Sequence, residues 1–132
     1  MPDKINFSDF QKLDIRIGTV IEAVVPEWSH WVMRLKVDLG PEIGERIIFA
    51  GIMKFYKPEQ LVKKQFPFVI NLEPKKIGPK EADGTQNFSE GMMLAACEQR
   101  SKDEGQRTKE NEEEKPILLS PWGKLPAGSK IR

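Results

Sequence analysis

The feature that most restricts the fold of this chain is a strict alternation of apolar and polar residues between Trp31 and Leu39. Because successive side chains of a strand point to opposite faces, a period of two predicts a half-buried β-strand. The residues predicted to face inward are Trp31, Met33, Leu35, Val37 and Leu39. The residues predicted to face outward are Val32, Arg34, Lys36 and Asp38.

A second alternating run precedes it, from Leu13 to Val25. Its predicted inward set is Leu13, Ile15, Ile17, Thr19, Ile21, Ala23 and Val25. Gly18 lies inside this run, and a glycine within a strand indicates a bulge or a sharp bend. Shorter strands are predicted at 46–50, 66–72 and 91–97, where the small Ala95 and Ala96 suit a tight barrel interior.

A short helix is predicted between the third and fourth strands, with Pro58 as its first residue. Five strands and this helix predict an all-β fold, a five-stranded OB-fold Greek-key barrel with short helices and a C-terminal extension. An immunoglobulin-like sandwich is the alternative, but it requires about seven strands and no helix. The length of 132 residues is typical of one domain, 1–132.

Three other segments complete the predicted organisation. Ser8 is expected to cap a helical turn over 9–12. Residues 74–88 are predicted to form a loop, and the polar residues 98–115 to form a solvated, disordered insertion. The C-terminal extension, 116–132, contains a further predicted strand at Ile117–Leu119.

Composition and charge limit the kinds of partner, such as a membrane or a nucleic acid, that the chain is expected to bind. No stretch approaches the roughly 20 apolar residues of a membrane span, and Met1–Ile5 shows no apolar signal region, so a cytoplasmic protein without a membrane partner is expected. The net charge of +1 is low for a nucleic-acid binder. Binding to phosphates therefore requires that positive charge be concentrated on one face.

The sequence predicts no enzyme. Cys97 and His30 are the only cysteine and histidine, so a disulfide within the chain is excluded and a four-ligand zinc site is not expected. Cys97 is expected to be a buried, inert thiol. No nucleophile–base arrangement, glycine-rich phosphate loop or dinucleotide fingerprint is present, so we expect no catalytic residue, no metal and no cofactor.

Two short segments, Asn71–Lys76 and Ser89–Ala96, carry a resemblance to a known family. Further segments fit the same family in order along the chain: Ser8–Gly18, Lys36–Gly40, Tyr56–Leu61, Leu118–Pro121 and Gly128–Ser129. Together they resemble the tRNA-binding OB-fold domain, which is appended to many methionyl-tRNA synthetases and also occurs free-standing. The resemblance implies a barrel that is dimeric when free-standing and that holds tRNA by its shape.

The resemblance also implies where tRNA would be held, namely at Asn71, Ser89 and Met92, with Lys75 and Lys76 nearby. Amide and hydroxyl groups can bond phosphates or base edges, a methionine can lie against a splayed base, and lysines attract phosphates. Asn71 could instead cap a turn and Ser89 could simply begin a strand. Alternation favours an outward Met92 beside an inward Met93.

Three further candidates come from their positions in the predicted barrel. Arg34 and Lys36 share the outer face of the second strand, a face on which OB-folds commonly bind ligands. Trp28, in the loop before that strand, is a candidate for stacking on a base, whereas Trp31 is expected to be buried.

The family has a related branch, the CsaA-like dimers associated with peptide binding and protein export. The Ser-x-Gly-Met sequence at 89–92 is closer to the tRNA-binding branch. The link at 77–88 contains no arginine, unlike the basic link usual in the family, and Glu81 and Asp83 oppose Lys80. Expected partners are therefore tRNA, a second copy of the chain, and either an aminoacyl-tRNA synthetase or an unfolded peptide.

Overall fold

The computed structural model describes residues 3–97 and 114–132, which contain three short helices and ten strands. The helices are α1 (Phe7–Gln11), α2 (Gly40–Ile43) and α3 (Pro58–Leu61). The first five strands are β1 (Ile15–Val24), β2 (Met33–Asp38), β3 (Glu45–Ala50), β4 (Gln65–Val69) and β5 (Lys75–Ile77). The others are β6 (Asn87–Ser89), β7 (Met92–Met93), β8 (Ala95–Cys97), β9 (Pro116–Leu118) and β10 (Lys130–Ile131).

The main sheet is antiparallel, in the order β3-β2-β1-β4-β7, and β10 also pairs with β1. The outer edge of β3 does not stay open. The backbone N–H of Glu90 donates to the Ile47 carbonyl at 2.8 Å, and the Ile47 N–H donates to the Glu90 carboxylate at 3.0 Å. These bonds join β3 to the segment just before β7, so the sheet closes on itself as the predicted OB-fold barrel.

The interior of the barrel is filled by the alternating residues of β2 and their neighbours. The side chains that are almost wholly buried are Val20, Met33, Leu35, Val37, Leu39, Ile48, Leu61 and Phe68. Burying each large apolar side chain stabilises a fold by about 1.5–3 kcal/mol, so this set is the main source of stability. The inward prediction for Met33, Leu35, Val37 and Leu39 is confirmed.

The predictions for Trp31 and Val32 are wrong. Trp31 is 50% exposed, whereas Val32 is only 4% exposed. The reason is that β2 begins at Met33, and residues before it form a turn around Ser29. The Ser29 hydroxyl accepts hydrogen bonds from the N–H groups of Trp31 and Val32, so a period of two does not apply there.

In β1 the alternation changes phase. The register against β2 shifts between Val20 and Glu22, which is the mark of a β-bulge. Gly18 and Val20 face the core before the shift, and Ala23 and Val25 pack against the core after it. Val20 is wholly buried and Ile21 is 37% exposed, contrary to the prediction that Ile21 faces inward. Leu13, which precedes the strand, is also exposed rather than inward.

The C-terminal part of the predicted fifth strand is divided. β7 stays in the main sheet, whereas β8 leaves it to pair with β9, and Ala96 lies opposite Ile117. Ala96 is consequently exposed and so is Cys97, which corrects the expectation of a barrel-interior alanine and a buried thiol.

Two smaller predictions also need correction. Asn6, not Ser8, caps α1, because the Asn6 side chain accepts the Asp9 N–H at 2.9 Å. Residues 74–88 are not simply a loop, since β5 and β6 pair within this segment as a hairpin. Most of the predicted polar insertion, 98–113, lies outside the described residues.

Gly18 marks a close approach within the core. A Cβ at this position would lie 2.4 Å from Val37 Cγ1 and 2.9 Å from Leu39 Cδ2. Both of these side chains are buried, so they have little room to move. The bulge itself lies three residues later, at Ile21.

We predict that Gly18→Ala lowers the free energy of unfolding by about 1–3 kcal/mol, as expected for overpacking of a dense core. Urea denaturation followed by tryptophan fluorescence measures the effect. Gly123→Ala is the matched control, because a Cβ at Gly123 would have no neighbouring atom within 4 Å. Alanine is otherwise better than glycine in a strand by about 0.5–1 kcal/mol, so a stabilised Gly18→Ala variant would contradict the close approach.

Candidate functional site

A cleft lies between the β5–β6 hairpin and the barrel wall formed by β2 and β3. Its volume is about 450 Å³, and its lining residues are Arg34, Ile47, Pro74, Gln86, Asn87, Phe88 and Glu90. In the hairpin, Lys75 pairs with Ser89 and Lys76 pairs with Phe88. Because paired residues of adjacent strands share a face, the exposed Lys76 and Phe88 side chains lie together.

Trp28, in the loop between β1 and β2, packs against the turn of the hairpin. A Cβ on Gly78 would lie 2.4–2.7 Å from three carbons of the Trp28 ring, so the indole lies directly against the Gly78 backbone. The Trp28 Nε1 also donates to Glu81 Oε2 at 3.2 Å. The same carboxylate oxygen accepts a hydrogen bond from Asn87 Nδ2. Trp28 therefore joins the two loops that border the cleft.

Trp28 also packs against other aromatic rings. Its ring lies 6.2 Å from Phe49 and 6.3 Å, edge-on, from Trp31, measured between centroids. The ring is partly buried by these neighbours and by Gly78. Its contacts are thus those of a residue that positions the hairpin.

Ser89 lies beneath the hairpin and is only 6% exposed. Its Oγ accepts the Phe49 N–H at 2.9 Å and donates to the Gly91 carbonyl at 3.0 Å. Both bonds are made to backbone groups, one of them on the outer edge of β3. Ser89 is therefore built into the barrel closure.

Both polar atoms of the Asn71 side-chain amide are also hydrogen-bonded. Its Nδ2 donates to the Lys12 carbonyl at 2.6 Å, and its Oδ1 accepts the Asp14 N–H at 2.8 Å. These two bonds attach the segment between α1 and β1 to the end of β4. Asn71 nevertheless borders the surface next to the cleft, together with Pro74 and Glu90.

Met92 is 47% exposed on β7, where it pairs with Val69. Met93 packs against the core. The prediction that Met92 points outward is confirmed.

The cations near the hairpin differ in their environment. Lys36 pairs with Glu22 at 3.4 Å and with Glu45 at 3.5 Å, so its charge is largely offset. Within residues 3–97 and 114–132, Lys75, Lys76 and Arg34 form no ion pair. These three are therefore cations near the cleft that have no carboxylate partner among the described residues; Arg46 is a fourth, although its guanidinium donates to the carbonyls of Ile70 and Glu90.

The tip of the hairpin carries negative charge. The hydroxyl and the backbone N–H of Thr85 both hydrogen-bond to the Asp83 carboxylate and lower the pKa of Asp83 below its usual value. These hydrogen bonds therefore favour the ionised form of Asp83. The positive residues lie instead at the base of the hairpin, in β5.

Several residues of the site were not predicted from sequence. Phe88 and Asn87 line the cleft, and Glu81 accepts hydrogen bonds from Trp28 and Asn87 that hold the hairpin in place. Arg46 donates to the carbonyls of Ile70 and Glu90 and so braces the same region. A signal was present for Phe88 alone, because it is an aromatic residue beside the Ser-x-Gly-Met sequence.

The described residues contain neither a cluster of potential metal ligands nor a membrane-spanning helix. In residues 3–97 and 114–132, no three histidine, cysteine or carboxylate side chains converge as a metal site would require. No helix in these ranges is long and apolar enough to cross a membrane.

The chain is similar to known proteins over nearly its whole length. The family described as "Putative tRNA binding domain" matches residues 15–130. The methionine–tRNA ligase of Pyrococcus horikoshii is 38% identical over 128 residues, which are 97% of this chain and 14% of the ligase. The chain thus spans about one-seventh of the length of that relative.

Solved structures show the same likeness. The chaperone CsaA of Bacillus anthracis superimposes with a TM-score of 0.74 at 32% identity, covering 98% of this chain and 100% of that one. A protein of Pyrococcus horikoshii described as related to methionyl-tRNA synthetase superimposes with a TM-score of 0.74 at 27% identity, covering 99% and 100%.

We predict that Ser89→Ala lowers the free energy of unfolding by about 1–3 kcal/mol, because the buried Phe49 N–H loses its acceptor. Thermal or urea unfolding measures the loss. Ser120→Ala, at an exposed serine, is the control and should change stability by less than about 0.5 kcal/mol. A Ser89→Ala variant of wild-type stability would show that the hydroxyl is not part of the barrel closure.

Proposed function

Because this chain belongs to the tRNA-binding domain family, we propose that it is a non-catalytic domain that holds folded tRNA by its shape and its phosphate backbone. The observation that carries this proposal is the charge around the hairpin. Lys75 and Lys76 are exposed on β5 without ion pairs among the described residues, and Arg34 lies in the adjoining cleft. The phosphates of an RNA backbone are negatively charged and can pair with these three cations.

The sequence-predicted residues take different roles in this proposal. Lys75 and Lys76 contact phosphates, and the exposed Met92 lies against a base. Ser89, Asn71 and Trp28 hold the site in shape, since their polar groups are bonded within the protein. Lys36 contributes little, because a tRNA phosphate would have to compete with two carboxylates for it.

We further propose that the domain acts as a homodimer. The C-terminal segment exposes four large apolar side chains: Ile117 at 40%, Leu119 at 42%, Leu125 at 39% and Trp122 in full. Trp122 also borders a groove of about 760 Å³ that contains Ile21 and Leu118. Exposed apolar surface of this kind favours burial against another protein surface. A dimer would place two modest sites on one tRNA and so raise avidity.

The similarity to a methionine–tRNA ligase supports a role in which the domain associates with such an enzyme and brings tRNA to it. The similarity to a chaperone named CsaA supports a second candidate function, the binding of unfolded peptide. The two candidates differ in their dependence on salt. Binding to phosphates weakens steeply as salt rises, whereas binding to apolar peptide does not.

We predict that the logarithm of tRNA affinity falls linearly with the logarithm of salt concentration. Replacing both hairpin lysines, Lys75→Gln with Lys76→Gln, should reduce the magnitude of that slope by about one to two, because each phosphate contact contributes roughly 0.7–0.9. Fluorescence anisotropy with labelled tRNA between about 50 and 200 mM salt measures both quantities.

The matched control is Lys12→Gln, since Lys12 does not line the cleft and its ammonium is paired with Asp9. Its slope should equal that of the wild type. Absence of tRNA binding by the wild type at the lowest salt would overturn the proposal. Salt-independent suppression of the aggregation of an unfolded client would then favour the peptide-binding alternative.

We predict that Trp122→Asp converts the dimer to a monomer, because a charge would be buried in the apolar contact. Sedimentation equilibrium gives the mass directly. Trp31→Asp is the control, because Trp31 is 50% exposed but does not belong to the C-terminal segment. A wild-type protein that sediments at the monomer mass of 15.1 kDa would contradict the dimer.

A further inference from the structure

Arg34 occupies an unusual position for a charged residue. It lies on the outer face of the barrel between two adjoining cavities, of about 450 and 370 Å³, and it lines both. The side chain is partly buried, yet it forms no ion pair or hydrogen bond with any described residue. Partly buried cations usually have a partner, because removal from water penalises an unpaired charge.

Three carboxylates line these cavities, those of Glu27, Glu81 and Glu90, and none of them forms an ion pair with Arg34. Glu81 accepts hydrogen bonds from Trp28 and Asn87, and Glu90 accepts the Ile47 N–H. Arg34 therefore has donors that face the cleft and are not bonded within the described part of the chain. A ligand with hydrogen-bond acceptors would satisfy them.

Phe88, on the hairpin, also lines the larger cavity and is 42% exposed. It is held in place by the hairpin, since the next residue, Ser89, is bonded to the backbone of β3. A fixed aromatic ring that remains open to solvent offers a flat face for stacking. The combination of an unpaired guanidinium and an open aromatic ring suits a planar ligand with polar edges.

We propose that this cleft receives one unstacked nucleobase of the bound RNA, with the base against Phe88 and its acceptor edge on Arg34. The inference rests on the proposed function and adds to it a pocket for a base. Asn87 borders the same cleft, where its Oδ1 forms no hydrogen bond with the described residues and can accept from an exocyclic amine. The nearby Lys75 and Lys76 would hold the phosphates on either side.

An extended peptide fits this cleft less well. Peptides that lie along a sheet gain affinity by pairing with the open edge of a strand. The outer edge of β3 is already bonded to Ser89 and Glu90, so it offers no row of open backbone groups. A base needs only a ring face and a few polar groups, which the cleft supplies.

The test compares a single-stranded RNA pentamer of adenosines with a pentamer of the same length that lacks bases. The wild type should bind the base-bearing pentamer on the order of tenfold more tightly, as expected for one stacked base. Phe88→Leu, which keeps apolar bulk but removes the ring face, should abolish that preference. The same variant should bind tRNA on the order of tenfold more weakly with an unchanged salt slope.

Phe7→Leu is the matched control, because Phe7 is an exposed aromatic residue on α1 that does not line the cleft. It should bind both pentamers as the wild type does. Thermal unfolding of each variant confirms that the fold is retained.

The outcomes separate the two proposals. Equal binding of the two pentamers, or wild-type tRNA affinity in Phe88→Leu, would overturn the base pocket while leaving tRNA binding intact. Binding of the adenosine pentamer without binding of tRNA would retain the pocket and overturn the proposed function. Displacement of the pentamer by an unfolded polypeptide, with no preference for bases, would assign the cleft to peptide instead.

Discussion

The closure of the barrel at the outer edge of β3 is the constraint on which the rest of the structure depends. An unpaired strand edge exposes backbone donors and acceptors and invites association with other chains. Here the edge is bonded by the hydroxyl of Ser89 and by the backbone and carboxylate of Glu90. Two consecutive residues thus replace a full neighbouring strand. Because β6 ends at Ser89, the same bonds determine where the hairpin stands over the barrel.

The hairpin is fixed at its other end by Trp28. The indole against Gly78 and the bond to Glu81 hold the turn of the hairpin to the loop between β1 and β2. With both ends restrained, the cleft between hairpin and barrel is largely formed in advance of any ligand. A preformed site loses less conformational entropy when it binds a ligand.

Although the chain is nearly neutral, it presents cations without ion-pair partners among the described residues at the β5–β6 hairpin. The net charge is only +1, but Lys36 is offset by two carboxylates while the hairpin lysines are not. Arg34 lies close by within the cleft. Local arrangement, rather than net charge, therefore governs the electrostatic attraction that the domain can exert at short range.

The residues that identify the family serve mainly to shape the surface. Asn71 and Ser89 mark the family in the sequence, yet their polar groups bond backbone atoms at Lys12, Asp14, Phe49 and Gly91. Their neighbours Lys75, Phe88 and Met92 present side chains to solvent. Residues that are diagnostic of a binding family need not be the ones that touch the ligand.

The sequence by itself determined the features that depend on local periodicity: the inward face of β2, the helix at Pro58–Leu61, the outward Met92 and the barrel class. Only the tertiary structure decided the exposure of Trp31, Ile21 and Cys97, and the fact that, among the described residues, Ser89 is hydrogen-bonded within the barrel while the Arg34 side chain is not. The physical reason is that the two groups of features depend on contacts over different separations along the sequence. Alternation acts between neighbours along the chain, whereas a bulge, a strand that changes partner, or a bond from residue 89 to residue 49 depends on groups brought together only when the barrel closes.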